Sequence, residues 1–322
     1  MPKPSVLIIT NRGDHTADWL VLELERRQAQ FTRLNTEDFP ARAHVSWHLP
    51  HTPRLTLADR VIDLSSLSGV WFRRPVAPRF SSELSPDRAE WVAKESQEVL
   101  EGLWRTLDVP WVNHPDANRR ASSKIEQLHR ARRFGFRTPE TLVTNSPEEL
   151  QAFVAARPSI CKPLRSGRVI VDGREKLFFT SLLTPDVLAK SPTIGPEPFF
   201  IQEQVAKRYD LRVTVIGTDL FAVAIDSQTC AEAQVDWRRG PTASLRHQPT
   251  DLPAEVADMC LGITASYGLN FGAIDLALTP DGSYVFFELN ANGQWAWLEQ
   301  ATGLPLRSRL ADLLEGRSKG VE

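Results

Sequence analysis

The stretch FGAIDLALTPDGSYVFFELN, residues 271–290, decides how this chain is read. Two apolar runs flank Asp281-Gly282, and an Asp-Gly pair so placed is a strong hairpin signal. Pairing the runs as strands brings Asp275 beside Glu288. Residues two apart share a strand face, so Asn290 points the same way as Glu288. Three oxygen ligands then converge at the end of a sheet. Hard donors of this kind suit Mg²⁺, which completes its octahedron with water and nucleotide phosphates. A polar hairpin end is the plainer alternative.

The bulk of the chain frames that reading. At 322 residues it is long enough for two or three modules. Its 38 basic and 40 acidic residues nearly balance, so no polycation points to nucleic acid or an anionic membrane. Only 8 of the basic residues are Lys, which makes each Lys at a telling position informative. Cys161, Cys230 and Cys260 are odd in number and lack CxxC spacing, so neither a zinc site nor a disulfide framework is indicated. No apolar stretch reaches about 18 residues and the N-terminus has no signal-like apolar run, so a soluble, cytoplasmic protein is expected.

Outward from the hairpin, the pattern predicts an α/β (α+β) protein in three parts. In residues 1–115 the strand-like SVLIIT (5–10), a helix ending at Ala29 and a strand over 31–34 form a βαβ unit. Short strands over 60–64 and 69–73 and a helix over 86–107 follow, before Pro110 and Pro115 break the chain. Residues 116–198 begin with one helix over 119–134. Ser146-Pro147-Glu148-Glu149 then reads as a capped helix start, followed by a strand over 159–164 and a Gly/Arg loop. Residues 199–322 hold strands over 199–205, 211–216 and 220–225, a helix over 253–267, and the 271–290 hairpin.

Several residues ask for an anionic, nucleotide-like ligand. Lys124 opens a helix, and Lys162 lies in an otherwise apolar strand, where a Lys is costly without an anion beside it. Its other reading is a snorkelling side chain with its head in water. The loop Arg165–Arg168 has the glycine and donors to close over phosphate. Glu203-Gln204-Val205 ends an apolar strand, a segment able to meet adenine through a carboxylate and backbone groups; alone, Glu203 is an ordinary strand-end Glu. Asp210 and Arg212 share a strand face and fit ribose and phosphate, or else a cross-strand ion pair.

The order Lys124, Lys162, Glu203, Arg212, Asp275, Glu288, Asn290 resembles the ATP-grasp superfamily. VWFRRP (70–75), WVNHP (111–115), KRYDLRVTVIG (207–217), VDWR (235–238) and FELNANGQWAWLE (287–299) are similar to the microviridin-type graspetide synthetases, over essentially the whole chain. The resemblance implies an N-terminal pre-ATP-grasp domain (1–115), a central domain (116–198) and a C-terminal domain (199–322). It implies ATP held by Lys124, Lys162, Glu203, Gln204, Val205, Asp210 and Arg212, with Lys162 and Arg212 serving the chemistry. Asp275, Glu288 and Asn290 would hold Mg²⁺.

The implied reaction is macrocyclisation of a ribosomal precursor peptide. An Asp or Glu side chain is activated as an acyl phosphate, then joined to a Ser/Thr hydroxyl or a Lys amine. A lid over 165–176 would keep water out. Arg73, Arg74, Arg238 and Arg239 would meet the acidic core peptide. A leader would dock over 166–190, with Asp186 as an acidic contact, and a homodimer is expected. The alternatives are a RimK-like ligase adding amino acids to a protein carboxylate and a nucleotide-binding regulator without turnover; the Asp-Trp-Arg and Asn-Gly-Gln-Trp segments and the complete metal set favour the first reading.

Overall fold

The computed structural model describes residues 5–78, 84–165, 167–171, 174–189, 197–240, 244–318 and 320. The opening βαβ unit grows into a parallel sheet ordered Gln30–Asn35, Ser5–Thr10, Leu67–Phe72, Trp111–Val112. The first strand is apolar on both sides, as a strand covered on both faces must be. Val6 and Ile8 pack with Leu20 and Leu24 of the helix His15–Arg26, while Leu7 and Ile9 pack with Leu100, Leu103 and Trp104 of the helix Pro86–Arg105.

The central part is an antiparallel sheet ordered Ser181–Leu183, Ser159–Lys162, Phe199–Glu203, Thr141–Thr144. Leu150 and Val154 of the helix Pro147–Ala156 pack on Ile201. Ser146 caps that helix as expected, its hydroxyl accepting from the Glu149 amide at 3.3 Å. Two expectations change here. The helix foreseen over 119–134 is two helices, Pro115–Arg120 and Lys124–Arg133, because Ser123 starts a new N-cap by accepting from the Glu126 amide. The strand Phe199–Glu203, placed by sequence in the C-terminal part, pairs instead with Ser159–Lys162 and Thr141–Thr144. The C-terminal sheet therefore opens only at Tyr209.

That last sheet is antiparallel, ordered His247–Thr250, Asp219–Ile225, Tyr209–Ile216, Phe271–Leu278, Tyr284–Asn290. One face carries Leu211, Val213, Val215, Ile274 and Leu276 against Cys260 and Ile263 of the helix Ala254–Ser266. The other carries Ile216, Val223, Phe271 and Ala273 against the helix Leu306–Leu314, Trp295 and the N-terminal helix. The 271–290 hairpin thus forms one edge of this sheet, with Phe271–Leu278 packed on both faces.

Candidate active site

The hairpin forms as its sequence dictates. Gly282 sits at φ +83°, a conformation that glycine adopts without strain, and its amide donates to the Thr279 carbonyl at 3.0 Å. Asp275 pairs directly with Glu288, and the register then slips so that Leu276 faces Phe286. The extra residue is Phe287. This bulge re-aims the strand, so that Phe287 and Glu288, although adjacent, both reach the cleft while Phe286 stays in the core. The Asn290 amide nitrogen donates to Asp275 Oδ2 at 3.3 Å and Glu288 Oε1 at 3.1 Å, so the three expected ligands do converge.

Neighbouring cations define the electrostatics. Lys124 Nζ lies 3.5 Å from Glu288 Oε2 and donates to the Pro163 carbonyl at 2.9 Å. Arg212 pairs across the sheet with Asp275 at 2.8 Å. Burial pushes the Glu288 carboxyl up, but Lys124, Lys162 and Arg238 together with the Asn290 amide hold it well below the usual range. Burial raises Asp275, which Arg212 only partly offsets and the Glu288 charge reinforces. Two carboxylates and an amide present an all-oxygen donor set, which fits Mg²⁺. Among the described residues no group of three or more His, Cys, Asp or Glu is placed to hold a metal ion. Arg212 Nε is buried without a hydrogen-bond partner among the described residues.

The strand bearing Glu288 is held by amides that sequence reading did not single out. The Gln127 side chain acts as a backbone surrogate: its Nε2 donates to the Leu289 carbonyl and its Oε1 accepts from the Leu289 amide, both at 2.8 Å. Asn113, within the WVNHP segment, grips the base of the hairpin. Its Oδ1 accepts from the Asn270 and Phe271 amides at 2.8 Å, and its Nδ2 donates to the Phe271 and Ala291 carbonyls.

A cleft of ≈ 420 Å³ opens on one side of the triad, lined by Lys162, Phe287 and the segment Glu203-Gln204-Val205. Lys162 ends its strand where Pro163 stops the ladder, with its ammonium 4.8 Å from the Phe287 ring centre. Burial pulls that ammonium down from 10.5 to about 8, Glu288 opposing the shift and Lys124 adding to it. Glu203 accepts from the Glu140 amide at 3.1 Å while lining the cleft. Asp210 also lines it and is bound by Lys207 at 2.8 Å and by the Ser227 hydroxyl at 2.5 Å. A second compartment of ≈ 680 Å³ lies across the triad, lined by Asn118, Ser122, Arg212, Asn292, Gln294 and Trp297. Lys124, Arg74, Arg238, Asp275, Glu288 and Asn290 border both compartments.

The four arginines expected to meet a peptide split evenly. Arg74 and Arg238 reach the cleft. Arg73 does not: it is 1% exposed, paired with Asp14 at 2.9 Å and turned toward the 292–294 loop. Its neighbour Arg74 adopts φ +46°, and this left-handed residue sends the two side chains apart. Arg239 faces the Ser181 hydroxyl at 2.6 Å and the Phe179 ring instead. Asp186 is exposed on the helix Pro185–Ala189, away from both compartments. Asp236, which sequence reading left without a role, binds Arg238 at 2.7 Å and accepts from the Thr180 amide at 3.2 Å, tying the C-terminal part to the central one. Of the lid (165–176) and leader (166–190) expectations, residues 166, 172, 173 and 190 lie outside the described residues. The remainder includes the antiparallel ribbon Arg168–Val171 with Arg174–Leu177.

A parallel-sheet domain followed by two antiparallel-sheet domains, with a cleft meeting an Asp-Glu-Asn triad, defines an ATP-grasp ligase. Residues 5–119 match the MvdD pre-ATP grasp domain. Beyond that domain, the whole chain resembles ATP-grasp ligases of the graspetide-synthetase type. It is similar to a Chryseobacterium gregarium RiPP-associated ATP-grasp ligase in complex with ADP and a leader and core peptide, at 29% identity and a TM-score of 0.90, covering 99% of this chain and 98% of that one. It also resembles two macrocyclases from Microcystis aeruginosa MRC. MdnC, bound with precursor peptide MdnA, matches at 29% identity and a TM-score of 0.85, covering 97% of this chain and 100% of that one. MdnB matches at 29% identity and a TM-score of 0.79, covering 97% and 99%. No curated protein sequence matches the chain.

Proposed function

We propose that this chain is an ATP-dependent peptide ligase that macrocyclises a ribosomally made precursor peptide. The observation that carries the reading is the triad at the wall between two compartments, one suited to a nucleotide and one open to a second substrate. The similar ligases at 29% identity are bound to ADP with a leader and core peptide, or to a precursor peptide, which supports it.

The chain's residues fit each step. Glu203-Gln204-Val205 receives the adenine, Asp210 the ribose, and Lys124, Lys162 and Arg212 the phosphates. Asp275, Glu288 and Asn290 would hold Mg²⁺, whose charge offsets that of the triphosphate during transfer. Arg74 and Arg238 draw a peptide carboxylate toward the γ-phosphate against the charge repulsion between them. A carboxylate oxygen forms a bond to the γ-phosphorus, the bond to the ADP oxygen breaks, and ADP leaves. A Ser/Thr hydroxyl or Lys amine then attacks the acyl carbon. It loses a proton as the C–O bond to phosphate breaks, giving an ester or an amide.

The same proposal takes three domains, beginning near residues 1 and 116 and, with the strand Phe199–Glu203 kept in the central one, near Tyr209, together with a leader docking over 166–190 near Asp186, a homodimer and a cytoplasmic location. No described helix is long and apolar enough to cross a membrane. ADP release measured with and without an acidic precursor peptide tests the function. Release that depends on the peptide is expected. Release equally fast without it contradicts the proposal, as does none at all.

A further inference from the structure

Arg73 lies outside the cleft, yet its hydrogen bonds lead to both ends of the metal triad. Its Nη1 donates to the Gly293 carbonyl at 3.2 Å and its Nη2 to Gln294 Oε1 at 2.6 Å. The Gly293 amide in turn donates to the carbonyl of Asn290 at 3.1 Å. The Gln294 carbonyl accepts from Arg212 Nη2 at 3.3 Å, and Arg212 Nη1 binds Asp275 at 2.8 Å. The loop has little slack, since a Cβ at Gly293 would collide with Ala273 and come within 2.8 Å of Arg212 Nη2. On the N-terminal side the guanidinium is fixed by Asp14, which itself accepts from Thr10 Oγ1 at 3.1 Å and caps the first helix. Thr16 Oγ1 also donates to Gln294 Oε1. Trp71 and Trp295 pack alongside, with ring centres 6.4 Å apart.

We infer that Arg73 is a positioning residue: from the N-terminal domain it sets the 292–294 loop, and through that loop the placement of Asn290 and of the Arg212–Asp275 pair. A buried fork with two acceptors on one loop defines a position and an orientation, which a point charge does not. The inference rests on reading Asp275, Glu288 and Asn290 as the phosphoryl-transfer centre. It also gives the N-terminal domain a part in catalysis that does not require it to touch ATP or peptide.

Arg73→Lys is the test, because it keeps a charge beside Asp14 while losing the simultaneous hold on Gly293 and Gln294. Calorimetry of ADP binding to the full chain, with and without Mg²⁺, gives a readout independent of turnover. Mg²⁺-free ADP affinity should fall less than the Mg²⁺-bound affinity, since without the metal only the Arg212 contact to phosphate is disturbed. The gain in affinity on adding Mg²⁺, and kcat, should each fall about 10- to 100-fold, as for other residues that orient metal ligands. The peptide KM should not move. Thr16→Val should show a smaller loss in the same direction, and it decides alone where Arg73→Lys does not fold. A wild-type Mg²⁺ gain in the folded variant overturns the inference. So does an equal drop with and without Mg²⁺, or a change confined to the peptide KM. Absence of any Mg²⁺ gain in the wild-type protein instead overturns the site reading itself, before any variant is compared.

Discussion

Along the C-terminal wall of the cleft, Asp275 and Glu288 face each other across paired strands, and Gln127 and Asn113 pin the backbone on either side. In the central part, Leu177 at the end of the two-stranded ribbon and Phe178 just after it line the cleft at 56 and 59% exposed, while Leu182 on a short strand and Val187 on a five-residue helix are 45 and 49% exposed outside it. The first wall is rigid sheet packed on both faces, the setting in which ligand positions hold to a fraction of an ångström. The second presents apolar side chains to solvent, and the proposed function puts leader docking there. If the proposed function holds, transfer chemistry and substrate capture fall to differently built regions, and substitutions on each should fail in different ways.

The largest effect belongs to the sheet wall. Glu288→Gln keeps the shape of the side chain and removes one anionic ligand, so turnover should fall on the order of 10² or more while the fold is retained. Circular dichroism and ADP release check this, and near-normal ATP consumption contradicts the ligand assignment.

Lys162→Met probes the floor between the walls. Nucleotide affinity should drop on the order of 10- to 100-fold, the worth of a charged hydrogen bond. Thermal stability should be kept or raised, because burial disfavours the charged form of this Lys. The sign follows from the lowered value. Below about 8 the folded state carries a proton at a cost, and between about 8 and 10.5 that cost is lifted as pH rises. The wild-type protein should therefore gain stability relative to Lys162→Met over that window. Unchanged ATP affinity by calorimetry makes Lys162 a structural residue instead.

Asp186→Ala, on the exposed wall, should have the smallest effect. The loss of one surface charge contact weakens precursor binding about two- to five-fold and leaves ADP binding untouched. Fluorescence anisotropy of a labelled leader reads this. Unchanged leader affinity removes Asp186 from the docking face.

The sheet wall was also the more legible in sequence. Asp281-Gly282 marks the hairpin, but the pairs nearest the turn, Leu278 with Tyr284 and Leu276 with Phe286, would set Asp275 against Phe287, and it is the bulge that brings Glu288 opposite. Phe287 was not legible, because a bulge breaks the alternation that would place it opposite its neighbours. Arg73 and Arg74 read as one basic pair, and only the left-handed backbone at Arg74 separates a buried clamp from a cleft residue. Gln127 and Asn113 act on backbone more than 150 residues away, at Leu289 and Phe271, and nothing local marks an amide for such a partner. The strand Phe199–Glu203 was given to the wrong sheet because strand patterning states that a strand exists, not which strand it pairs with.

Mass spectrometry of the precursor peptide after incubation with the enzyme, Mg²⁺ and ATP tests the central claim most directly. Each ring joins a carboxylate to a hydroxyl or amine within one chain, so the product should be lighter than the precursor by one water per ring, with ADP formed in step. A product heavier by an amino-acid residue or by a phosphate contradicts macrocyclisation, as does an unchanged mass with every peptide encoded beside the gene.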